Sequence, residues 1–429
     1  MSKSKKKICI INAVGLSYEL AKKYSFFEKF GQIEAAEGVF PALTCSVQAS
    51  LLTGKTPSEH GIVANGWLYP DTREVRFWQQ SHKLIQADTF LKNREVANMF
   101  WWFAQGADTT YYTTPKPLYA SNGDKAFGVL DKSDCNLVEQ LGEFPFHAFW
   151  GPFAGLKSSE WIAKATAIVL EKKQPEITLC YLPHLDYDFQ RFGPTDNGQV
   201  EELIGCIKTV SEAADKVNTK VIIVSEYGIV PVNKPVFINR LLRENNWLNV
   251  RSGPFGESLD TYDSKAFAVV DHQMAHLYLK DIDHNEVIQA VEKLDGVCKI
   301  LKPQELGLEH ARSGEYIVLS DENAWFTWPY WLEEKNKPDF ADCIDIHRKP
   351  GYDPCELFLG SKFNLAWRIL MKKLGQKTRM SIIDNDSHRI KGSHGLINSG
   401  SDRPVIIGEK PPSQLLDFKN YVESQLEEK

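Results

Sequence analysis

Apolar and polar positions along the chain fall into a repeating order: a short unbroken apolar run, a polar loop, then a stretch with apolar residues at helical spacing. Ile8 to Leu16, Thr178 to Leu182 and Val221 to Ser225 are such runs and predict buried parallel strands. Trp161 to Lys172 and Val200 to Val217 place apolar residues opposite charged faces, as crossover helices do. Pro404 to Ile407 suits a closing strand, and Leu415 to Glu428 reads as a charged surface helix. The fold class expected is α/β, a three-layer sandwich around a mostly parallel central sheet.

The texture changes from about Val236 to Glu334. Phe267 to Val270 and His276 to Leu279 read as strands and Asn285 to Leu294 as a helix, which predicts an inserted α+β cap. The expected division is residues 1–235 for the first part of the core, 236–334 for the cap and 335–429 for the closing part of the core. Two aromatic clusters, Phe100 to Phe103 and Trp325 to Trp331, read first as packing and second as a wall that stacks on a flat substrate group.

Composition narrows the function classes. With 43% hydrophobic and 25% charged residues, 429 residues are enough for a large buried core. A formal net charge of −6 provides no field for a polyanion, so bulk nucleic-acid binding is not expected. The basic start Met1 to Lys7 and the run after it imitate a leader, but Glu19, Lys22 and Lys23 follow at once, and no run reaches about 18 apolar residues. The expected location is the cytoplasm. Eight cysteines without short paired spacing fit neither a zinc ribbon nor a disulfide framework, and Cys45 alone stands where a helix start can activate a thiol.

Ligands of open α/β sheets collect at the carboxyl ends of the strands, which draws Asn12, the segment His184 to Asp188, expected as a loop, and Glu226 toward one rim. Phe40 to Gly54 runs from a loop into a short helix that Gly54 can end, with Thr44 at its amino terminus. A hydroxyl there can attack phosphorus while backbone amides hold the charged oxygens; it can equally be a plain N-cap.

Phe40-Pro41-x-x-Thr44, Thr53-Gly54, Pro57, His60-Gly61-Ile62 and Asn65 together resemble the nucleophile block of nucleotide pyrophosphatases/phosphodiesterases in the alkaline phosphatase superfamily. The resemblance implies an alkaline-phosphatase-like fold, Thr44 as nucleophile, and Asn65 as a hydrogen-bond donor to a phosphoryl oxygen. It also implies two divalent metals held by aspartates and histidines. Asp186 and His394, in Gly392-Ser393-His394-Gly395, match metal ligands. Asn12, Glu226, Gln190 and Tyr227 depart: an amide for the first aspartate, glutamate for aspartate, glutamine and tyrosine for histidines. Losing two imidazoles and one carboxylate shifts preference from zinc toward magnesium, manganese or calcium and leaves one or two ions.

Accessory candidates are His184 and Asp188, beside Asp186, and Asp345 and His347, which would share a face of an extended strand. His272 and His276 stand roughly 13 Å apart on a strand, too far for one metal, and read as packing or substrate contacts. Arg191, Arg348, Lys349 and Arg389 are candidate phosphate partners or solvated charges. The reading is a metal-dependent hydrolase (zinc, magnesium or manganese) of phosphodiester, pyrophosphate or phosphomonoester bonds in a small phosphorylated or nucleotide-like substrate. The alternatives are a non-catalytic binder of a phosphorylated small molecule and a phosphoglycerate-mutase-like enzyme.

Overall fold

The structure, a computed structural model, describes residues 6–427 apart from 122–124, 127, 377, 398–399 and 401. The basic start up to residue 5 and the end of the last expected helix, at residue 428, lie outside the described residues. The apolar run that opens the chain is a strand, Ile8–Ala13, buried along its whole length. It pairs in parallel with Ile177–Leu182 on one side and Lys220–Val224 on the other. Val96–Met99 and Tyr111–Pro115 extend the parallel stack. Antiparallel strands close both edges: Val405–Gly408 and Gln32–Ala35 on one, Val129–Lys132 on the other. The eight strands form the α/β core that the sequence pattern predicts.

Strands apolar on both faces need cover on both faces. Helices Leu156–Lys173 and Gln199–Lys216 pack on each other and on the inner strands, while Thr44–Thr53 packs with the terminal helix Phe418–Glu427. Gly54, at φ 65°, ends the helix Thr44–Thr53 in the left-handed conformation that a glycine adopts without steric cost.

The cap region carries a four-stranded antiparallel sheet, Ala266–Asp271, Met274–Leu279, Tyr316–Ser320 and Val297–Leu301 in that spatial order, with helix His284–Glu292 beside it. Its apolar core also takes in Leu68, Phe77, Ala341 and Tyr352 from outside 236–334. Trp328, Tyr330 and Trp331 lie in that core as packing.

Two local expectations change. His184 to Asp188 is the first turn of a helix, His184–Phe192, because Pro183 and the following apolar residues continue directly from the strand. Asp345 and His347 lie in a turn, not on a strand: the segment ends at Pro350-Gly351, and Lys349 folds inward onto Asp353 and Glu356 at 2.6 Å each. All eight cysteines are free. Among the described residues, no helix is long and apolar enough to cross a membrane.

Candidate active site

The carboxyl ends of the central strands open into a cavity of about 500 Å³. Thr44, Asp186, Tyr227 and His394 meet at its floor, and Trp78, Trp102, Phe149, Trp150 and Tyr187 wall it. Residues up to 350 positions apart in the chain (44 to 394) are thereby brought to one place, as the strand-end argument requires.

Thr44 is the first residue of its helix, and its hydroxyl lies 2.8 Å from the Tyr227 hydroxyl. The next backbone amide, Cys45 N–H, donates to Asn65 Oδ1 at 2.9 Å. Asn65 is held in turn by Asp271, which accepts from its backbone N–H at 2.8 Å and from its Nδ2 at 3.1 Å. One of the two Nδ2 hydrogens is therefore engaged, and Asn65 stands behind the residues that line the cavity. The Cys45 thiol is buried, and desolvation, with Asp271 and Glu226 nearby, pushes its pKa well up; it is not an activated nucleophile.

Beneath Thr44 the two carboxyl groups are held by neutral amides. Glu226 Oε1 accepts from Asn12 Nδ2 at 2.6 Å and from Gln48 Nε2 at 2.7 Å. Asp186 Oδ2 accepts from Gln190 Nε2 at 2.7 Å, and Gln190 Oε1 accepts from the Tyr352 hydroxyl at 2.6 Å. No cationic side chain pairs with either. Burial is therefore the leading cause that pushes Asp186 up to about 7 and Glu226 up to about 8, against the hydrogen bonds that lower them.

His394 Nδ1–H donates to the Ala42 carbonyl at 2.7 Å, which leaves Nε2 unprotonated and 3.6 Å from Asp186 Oδ1. Tyr227 lies flat on the His394 ring, centroids 3.7 Å apart. His272 covers the other side at 3.8 Å and is itself covered by Tyr352 at 3.7 Å.

These residues do not fit the two-ion centre that the resemblance implies. Gln190 presents its N–H to Asp186 and Tyr227 bonds the Thr44 hydroxyl with a neutral phenol where imidazole lone pairs are needed, and Asn12 turns its N–H to Glu226. Among the described residues, no three His, Cys, Asp or Glu side chains group closely enough to hold a metal. Asp186, Glu226, His394 and Asn12 are thus brought together, but as a hydrogen-bonded floor. Three of its acceptors, Asn12 Oδ1, Asp186 Oδ1 and Glu226 Oε2, are buried without a hydrogen-bond partner.

The accessory candidates divide. Asp345 and His347 line the cavity mouth. His184 is buried beside the Gln199 backbone and Asp188 pairs with Arg191 at 2.8 Å; neither lines the cavity. Arg191, Arg348, Lys349 and Arg389 are all engaged with Asp188, Asp345, Asp353 and Asp384 respectively. His276 is a satisfied core histidine, held by the Val63 carbonyl and the Gly314 amide.

His272 and Asp271, which read from the sequence as packing or substrate contacts, hold each other at the cavity. Their sequence signal was a two-residue connection, His272-Gln273, between strands that pair through Asp271 and Met274. A tight hairpin tip projects its side chains beyond the sheet. Trp102 was in a cluster read mainly as packing, and it walls the cavity.

A family model described as type I phosphodiesterase / nucleotide pyrophosphatase matches residues 9–353. No curated protein matches the sequence. Among solved structures, phosphonoacetate hydrolase from Sinorhizobium meliloti 1021 in complex with phosphonoacetate aligns with TM-score 0.61 at 15% identity, covering 98% of this chain and 96% of that one. Murine ectonucleotide pyrophosphatase/phosphodiesterase 5, in an inactive form bound to AMP, aligns with TM-score 0.59 at 11% identity, covering 98% and 95%. The human counterpart gives 0.58 at 12%, with the same coverage. At these identities the likeness speaks for the fold, while the family match rests on the sequence itself. With the alkaline-phosphatase-like core beneath it, this chain belongs to the type I phosphodiesterase/nucleotide pyrophosphatase family.

Proposed function

We propose that the protein hydrolyses a phosphoester bond in a small molecule, with Thr44 as nucleophile. The observation that carries this reading is the placement of the Thr44 hydroxyl: at a helix amino terminus, on the floor of the cavity, with Asn65 anchored beside it. A helix start favours the anion, and Asn65 holds its first turn through the Cys45 amide. In the first step the Thr44 oxygen bonds to phosphorus as the ester oxygen departs, and the hydroxyl proton leaves with that oxygen. Tyr227, 2.8 Å away, holds the attacking oxygen in place.

Without a two-ion centre, the phosphate's charge has to be tolerated by the floor itself. Carboxyl groups raised to about 7 and about 8 carry protons through much of the neutral range, so the anion does not face two negative charges. Indole and phenol walls fit a flat or apolar group on the substrate, in keeping with a nucleotide-like or other small ester.

Assay of aryl phosphomonoesters and diesters tests the reading, with chelator and with zinc, magnesium or manganese added in turn. The expected result is turnover that survives the chelator and is lost in Thr44→Ala. A second reading, a binder that does not cleave, is favoured by the three substituted ligand positions Asn12, Gln190 and Tyr227. It replaces the first if no condition gives turnover above Thr44→Ala while phosphorylated ligands still raise the melting temperature.

A further inference from the structure

His272 sits at the tip of the hairpin between Ala266–Asp271 and Met274–Leu279, with φ at +59°. This is the position in a two-residue turn where glycine is usual, and a side chain held there is strained. The tip is clamped from every side. Gln273 N–H donates to the His394 carbonyl at 3.0 Å, Phe326 N–H donates to the His272 carbonyl at 2.7 Å, and the ring lies between Tyr352 and His394. Gly395 makes the approach possible, since a Cβ there would stand 3.0 Å from Gln273 N.

The ring's polar atoms are equally constrained. Nδ1 lies 2.7 Å from Asp271 Oδ1, so Nδ1 carries the hydrogen and the lone pair is on Nε2. Nε2 is buried and has no hydrogen-bond partner, and the residue lines the same cavity as Thr44. Asp271 also anchors Asn65, which holds the Cys45 amide, so one chain of hydrogen bonds runs from the nucleophile helix to this imidazole. A carboxylate that orients a cavity-lining imidazole whose other nitrogen is buried and unpartnered is the arrangement of a general base.

We infer that His272, oriented by Asp271, takes the proton from the water that hydrolyses the threonyl-phosphate. The inference rests on the hydrolase reading above. The water oxygen forms its bond to phosphorus as the bond from phosphorus to Thr44 Oγ1 breaks. The water proton passes to His272 Nε2 and from there to the departing Thr44 oxygen, which restores the hydroxyl and the neutral imidazole. Asp271 is a positioning residue: it sets the tautomer and ring angle.

The test uses a 4-nitrophenyl phosphodiester with the wild type, His272→Gln, His272→Ala and Asp271→Asn, with melting curves to confirm folding. In His272→Gln a burst of about one nitrophenol per chain is expected, followed by turnover slowed about 100-fold or more. Intact-protein mass spectrometry then shows phosphoryl on Thr44. Added imidazole partly restores His272→Ala, and Asp271→Asn falls between wild type and His272→Gln. Turnover of His272→Gln within threefold of wild type overturns the inference, as does a loss without burst or adduct in a folded variant. Absence of turnover and adduct in the wild type sinks the hydrolase reading itself, and the inference with it, which separates the two failures.

Discussion

The cavity floor and the wall that the hairpin Ala266–Leu279 adds to it give their buried carboxyl groups different partners. On the floor, Asp186 Oδ2 and Glu226 Oε1 accept from the amides of Gln190, Gln48 and Asn12, and burial drives both toward the protonated form. On the wall, a carboxyl group meets an imidazole directly, Asp271 to His272 at 2.7 Å, and aromatic rings fix the imidazole plane. A floor of neutral groups accepts an anion; a wall with an oriented lone pair moves protons. The contrast shows how a family site can lose ligands for metal without losing the order of its polar groups.

The largest effect is expected at Thr44, the floor residue proposed as nucleophile. Thr44→Ala removes the attacking oxygen, and turnover is expected to fall by about 1,000-fold or more, with the melting temperature little changed. Steady-state assay with an aryl phosphodiester checks it, and a Thr44→Ala protein with near-normal turnover removes the floor from the chemistry.

Rebuilding the floor comes next. The triple variant Asn12→Asp, Gln190→His and Tyr227→His supplies the carboxylate and imidazoles that the family pattern contains, and bound zinc is expected to rise from trace to about one or two ions per chain. Elemental analysis after gel filtration reads this directly. Zinc already bound stoichiometrically in the wild type breaks the comparison at its root.

Tyr352→Phe probes the seam between floor and wall. The ring keeps its stack on His272, but Gln190 Oε1 loses its 2.6 Å donor in a buried setting. An unsatisfied buried acceptor costs about 1 to 3 kcal/mol, which urea denaturation can resolve. A variant as stable as the wild type shows that floor and wall are energetically separate.

How much of this was legible beforehand follows from the reach of each signal. The buried strands and crossover helices were readable because unbroken apolar runs and helical spacing are local patterns: Ile177–Leu182 and Lys220–Val224 fall within one residue of their expected places, and Ile8–Ala13 ends three residues before the expected Leu16. The convergence of Thr44, Asp186, Tyr227 and His394 was readable only through the family's motifs and the rule for strand ends. His272 was not readable, because its role depends on a turn that pairs Asp271 with Met274 and on rings from residues 352 and 394. Spacing along a strand treated His272 and His276 as equivalents; the hairpin turn makes one a cavity residue and the other core.

The smallest effect is a pH dependence of stability. Asp186, Glu226 and Asp271 have folded values raised to about 7, 8 and 7 by burial, so the folded chain binds protons that the unfolded chain has released. Such groups contribute stability that is fully present below their unfolded values near 4 and is lost as pH rises through the folded values. His60, His184 and His276 are lowered by burial to about 3, 4 and 4, and His272 and His394 are lowered well below 6.5. They act in the opposite sense, with stability lost as pH falls below 6.5, so the two sets compete in mildly acidic solution. Above about pH 7.5 the histidines are neutral in both states and only the carboxyl groups act. The melting temperature is therefore expected to fall from about pH 7.5 upward, and to fall less in Glu226→Gln, which removes one titrating group. A wild-type melting temperature that rises there means that the floor is charged and matched by a cation, and the distinction between floor and wall no longer holds.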